Sequence, residues 1–153
     1  VTRRKGHLRE CRTPGRPARR QNEPMVLSPF GVRAAAGTLR ASTGVVLPHS
    51  WTDEGVVASP VANGAHVLHL SVALCVLNDT YREAQRLDIP IDGVAVEADG
   101  SFDDQWRSIG ITYQVTLDAH ATAQDVAHLI AVVDEVAEIP RALRAGVPVD
   151  RGK

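Results

Sequence analysis

The stretch 64–87, GAHVLHLSVALCVLNDTYREAQRL, decides the fold. Val67, Leu70, Leu74, Leu77, Tyr81 and Ala84 recur every three or four residues, so a helix places them on one face. Leu68, Val72, Cys75 and Val76 cover most of a second face. From Val67 to Leu77 the helix is therefore apolar nearly all round, which predicts burial. Its second half turns amphipathic, with Asp79, Arg82, Glu83, Gln85 and Arg86 expected to face water, and Pro90 ends it.

Working outward, the N-terminal side reads as strands. Val32–Leu39, Val45–Leu47 and Val56–Val57 carry small and β-branched residues, broken by Gly31, Gly37, Gly44 and Pro48. On the C-terminal side a hairpin is expected. Val94, Val96 and Ala98 alternate with Ala95 and Glu97, and Asp99-Gly100 opens a turn, with 102–107 as a bulge or a lengthening of the loop. In the return strand Ile109, Ile111, Tyr113, Val115 and Leu117 face one way, and Thr112, Gln114 and Thr116 the other. Thr122, with Asp125 three residues on, caps a last helix whose buried face is Val126, Leu129, Ile130 and Val133. Pro140 is expected to break it, leaving 141–145 as a short piece stopped by Gly146 and Pro148. Strands, buried helix, hairpin and helix make an α+β pattern without internal repeats.

A chain of 153 residues that is 44% apolar fits one domain with a real core. It lacks any run of about 18 apolar residues, so no membrane-spanning helix is expected. Two cysteines do not make a disulfide scaffold, and a reducing, cytoplasmic setting is the simplest reading. Residues 1–24 carry a net charge of +6 against −7 for the rest. Pro14, Gly15, Pro17 and Pro24 punctuate this segment, which has almost no large apolar residues. It reads as a disordered basic tail before a folded domain over 25–153. The opening Val1 and the junctional Met25 suggest a start misassigned upstream, and no apolar segment makes the tail a secretory signal. The tail would attract phosphates, yet it offers no aromatic for base stacking, so nucleic acid is not an expected partner.

The runs HLSVALCVLNDTYREAQRLDIPIDGVAVEADG (69–100) and EVAEIPRALRAGVPV (135–149), in this order and spacing, resemble the OsmC/Ohr family of thiol peroxidases over roughly residues 60–149. Leu143 to Val149 matches the family's closing motif well. The resemblance implies N-terminal antiparallel strands, a buried central helix, a β-hairpin and a C-terminal helix, assembled as an intertwined homodimer. It also implies chemistry with two thiols: one attacks an organic hydroperoxide as thiolate and the other resolves the sulfenic acid, with an arginine and a glutamate assisting. Cys75 matches the cysteine on the central helix. Ala137 stands where the second is expected, with Glu138 for the following proline; aligning on Pro140 puts Ile139 there instead. Asn63-Gly64-Ala65-His66 lacks the acid expected at the helix start, and the arginine is either Arg33 or Arg40. Cys11 lies in the tail. The implied function is that of an OsmC-like protein degenerate in thiol-dependent hydroperoxide reduction, binding a small apolar or peroxidised ligand. Alternatives are a one-cysteine peroxidase using Cys75 with an external thiol, and a non-enzymatic binding or regulatory protein.

Read without the resemblance, Cys75 between Leu74 and Val76 is a small buried hydrophobe. His66 and His69 share a helix face, but with no HExxH or CxxC nearby they read as helix-start polar residues, and neither a metal site nor a cofactor is expected. His120 and His128 are expected on the surface, Asp103-Asp104 in a solvated loop, and Trp51 and Trp106 in the core.

Overall fold

A computed structural model describes residues 24–152. Among them, strands β1 (Val32–Gly37), β2 (Val45–Leu47) and β3 (Val56–Ser59) precede helix α1 (Gly64–Arg86). Strands β4 (Ile91–Phe102) and β5 (Ser108–Ala119) and helices α2 (Ala123–Val136) and α3 (Glu138–Ala145) follow. The strands form one sheet in the order β2-β3-β1-β4-β5, every adjacent pair antiparallel. The order strands, helix, hairpin, helix is the one read from the sequence. Among the described residues, no helix is long and apolar enough to cross a membrane. Residues 1–23, with Cys11 and almost all of the basic segment, lie outside the described residues.

Strand parity decides which face carries the core. Val32, Ala34 and Ala36 of β1, Val56 and Ala58 of β3, and Val94, Val96 and Ala98 of β4 all point into one cluster. Against them α1 sets Leu70, Val76, Leu77, Tyr81 and Ala84, and α2 adds Leu129 and Val133. The alanines leave room for the helix to lie close on the sheet. Each fully buried Leu or Val contributes about 1.5–3 kcal/mol relative to exposure. Ile111, Tyr113, Val115 and Leu117 of β5 pack at the margin of this cluster, as their alternation predicts. The Asn63 side chain caps α1 by accepting from His66 N at 3.0 Å, and Thr122 with Asp125 forms the expected capping box.

Five expectations need correction. Asp99-Gly100 is not a turn: the Asp99 carboxylate accepts from Ser28 N and Oγ (both 2.6 Å) and from Gly100 N (2.8 Å), and the strand runs on to Phe102. The reversal is at 103–107, where Asp103 accepts from Gln105 N and Arg107 N at 2.9 Å each. The last helix breaks at Ala137, ahead of Pro140, which occupies the first turn of α3, where a missing N–H is harmless. Asp79 and Glu83 do not face water; both are buried, Asp79 only 1% exposed, because each has an arginine one turn on, Arg82 and Arg86. Trp106 is 75% exposed at the hairpin tip and Trp51 is also on the surface, so neither builds the core. Finally, the apolar run of α1 is not covered throughout, since Val67 is 53% exposed.

Candidate functional site

Cys75 lies halfway along α1, on the side turned to the start of α3. The break at Ala137 aims the first backbone amides of α3 at it, and Ile139 N–H donates to Sγ at 3.4 Å. Two carboxylates share the sulfur. The one S–H proton has two acceptors within reach, Asp79 Oδ2 at 3.8 Å and Glu138 Oε2 at 3.6 Å. Arg82 binds both acids, with NH1 2.8 Å from Asp79 and 3.6 Å from Glu138. Residues 75, 79 and 82 are spaced four and three apart, so one helix face carries sulfur, acid and guanidinium in succession.

The electrostatics oppose a thiolate. Burial pushes the Cys75 thiol up, the Ile139 amide pulls it down, and the charges of Asp79 and Glu138 push it up again. Asp79 is itself held above the ordinary carboxylate range by burial, with Arg82 opposing and Glu138 reinforcing the rise. Glu138 is held low, first by its own backbone N–H at the helix start and then by Arg82. The arrangement thus sets hydrogen-bond acceptors and acidic groups beside the sulfur and favours the thiol over the thiolate. Cys75, Asp79 and Glu138 place ligand atoms within 4.8 Å of one another, the one trio among the described residues able to hold a metal ion. Arg82 already offsets part of their charge.

Beside this cluster a cleft of about 410 Å³ opens between α1, β5 and α3. Leu68, Val72, Ile111, Tyr113, Pro140 and Leu143 line it, with Ser108, Gly110 and Arg144 at its polar part. Tyr113 Oη donates a short hydrogen bond to Asp134, which also takes Arg144 NH2 at 2.6 Å, while Arg144 NH1 donates to the Asp134 carbonyl at 3.1 Å. The Tyr113 hydroxyl is pushed up to about 12 by burial and then by Asp134, so it stays protonated.

The other predicted site residues lie elsewhere. Arg33 alternates with the core-facing Val32 and Ala34, so it points away from α1 and pairs with Glu97 at 3.6 Å. Arg40 lies in the turn after β1, its amide donating to the Gly37 carbonyl at 3.0 Å. Among the described residues the charges bearing on Cys75 are Asp79 and Glu138, not either arginine. The helix start carries no acid, and Ala137, fully buried, directly precedes the two residues that touch the sulfur. His66 and His69 stand at the start of α1, as read from the sequence, and both are buried anchors. His66 Nε2 meets the Pro29 carbonyl at 2.9 Å and His69 Nδ1 the Phe30 carbonyl at 2.7 Å, fastening the 28–31 turn to α1. Sequence reading missed Asp79, Arg82 and Glu138 as neighbours of Cys75. The helical spacing of the first two is a usable signal; nothing local points to Glu138, which arrives from 63 residues away.

No family model matches the chain, and no curated protein sequence does. Among solved structures, an OsmC-like hydroperoxide resistance protein from Jannaschia sp. CCS1 is similar to it. The two share 12% identity with a TM-score of 0.45, over 78% of this chain and 91% of that one.

Proposed function

We propose that this chain is an OsmC-like protein, cytoplasmic and homodimeric, that has lost two-thiol hydroperoxide reduction and keeps the cleft beside Cys75 as a site for a small apolar ligand. The observation that carries this reading is the pair of carboxylates on the sulfur. Peroxide attack needs a thiolate, and working thiolates sit among cations and amide dipoles. Here Asp79 and Glu138 are hydrogen-bond acceptors that hold the proton on Sγ. Cys75 is also the sole cysteine among the described residues, so none of these offers a second thiol to resolve a sulfenic acid formed there. Val67 and Ile109, which lie outside the lining of this cleft, are exposed apolar side chains of the kind that a second copy would cover.

One observation favours a one-cysteine peroxidase that borrows an external thiol. The Ile139 amide at the start of α3 points at the sulfur, as it does where thiolates are stabilised. Turnover separates the two. Consumption of cumene hydroperoxide with excess dithiothreitol is compared for the wild type and Cys75→Ser. Equal rates, both at the level of reductant alone, are expected; turnover by the wild type that vanishes in Cys75→Ser means the peroxidase survives and the proposal is wrong.

A further inference from the structure

We infer that the cleft between α1, β5 and α3 selects a neutral amphiphile, an aliphatic chain ending in a hydroxyl or similar uncharged head, over the matching carboxylate. This rests on reading the cleft as a ligand site. Arg144 is the charged side chain of the lining, and a free guanidinium there would make the cleft an acceptor of fatty carboxylates. It is not free. Asp134 takes its NH2 at 2.6 Å through the side chain and its NH1 at 3.1 Å through the backbone carbonyl. Tyr113 spends its proton on the same carboxylate.

The rim is therefore a neutral Arg–Asp–Tyr unit. An incoming carboxylate gains little from a cation already neutralised, and it meets the fixed charge of Asp134 just behind it. Pulling Arg144 away would strand Asp134, which hydrogen bonds from Tyr113 and Arg144 hold in the charged form. A neutral head faces no such conflict. The Tyr113 oxygen keeps a lone pair to accept with, and the Ser108 hydroxyl both donates and accepts. The wall of Leu68, Val72, Ile111, Pro140 and Leu143 accepts the chain in either case.

The test is calorimetric binding of 1-octanol and octanoate to the full chain, wild type and Asp134→Asn, at neutral pH. Asp134 and Arg144 are both about half exposed, so the substitution leaves the core alone. The wild type is expected to prefer octanol by about tenfold or more, and Asp134→Asn, by freeing Arg144, to raise octanoate affinity by about tenfold with octanol within about twofold. Octanoate binding the wild type as well as octanol does, or a ratio unmoved by Asp134→Asn, overturns the inference while leaving the ligand site standing. If neither probe binds the wild type or Asp134→Asn, the ligand reading itself fails and takes the selectivity with it.

Discussion

Replacing Glu138 by Gln should make Cys75 a faster nucleophile. The change keeps the shape of the side chain and its place at the start of α3 while deleting the exposed one of the two charges beside the sulfur. Glu138 Oε2 lies 3.6 Å from Sγ. Because Glu138 is largely exposed, water's dielectric constant is the fitting one, and at that distance two unit charges repel by about 1.2 kcal/mol, equivalent to a factor of about seven in thiolate population. Salt lowers this, so a rise of about three- to sevenfold is expected near neutral pH. The assay is the rate of alkylation of Cys75 by iodoacetamide in a Cys11→Ser background, which leaves a single thiol. High salt should shrink the gain. An unchanged rate, or a slower one, would mean that Glu138 does not restrain the sulfur, and the electrostatic account would be refuted.

Two further outcomes follow from packing and charge. Leu77→Ala removes a fully buried side chain from the centre of the core and should lower unfolding free energy by about 2.7–5 kcal/mol in urea titrations; a loss under about 1 kcal/mol would place Leu77 outside the core. Asp99 is held below its usual range: burial raises it, but the bonds from Ser28 and Gly100 outweigh that. Its folded value lies below its unfolded one, so its stabilisation is present above about pH 4 and drains as pH falls through the folded value. Asp99→Asn should therefore flatten the acid limb of stability against pH, and parallel curves for the two proteins would refute this.

Much of the fold was legible because it rests on periodicity. The three-and-four spacing of Leu70, Leu77, Tyr81 and Ala84 reports burial of α1, and the alternation over Ile111–Leu117 reports the inner face of β5. For Asp99, His66 and His69, partners distant in the chain override what local polarity suggests. Asp99 looks like a turn residue until Ser28 is seen to bind it 71 residues away. His66 and His69 read only as polar residues at a helix start until the carbonyls of Pro29 and Phe30 are brought over them. Asp79 and Glu83 were accessible from the sequence in principle, since each has its arginine three residues on along the helix. The site was half legible. Cys75 and the replacement of a second thiol by Ala137-Glu138 could be read directly, whereas the approach of Glu138 to the sulfur depends on where α2 ends, and a proline three residues downstream misplaces that break.

The ionisation of Cys75 itself is the most direct measurement. Thiolate absorbance of the folded full-length Cys11→Ser protein, followed against pH and corrected with Cys75→Ser, should reach its midpoint above that of an unperturbed cysteine. A midpoint shifted toward neutrality would show that the neighbours of the sulfur activate it, and the account given above could not stand.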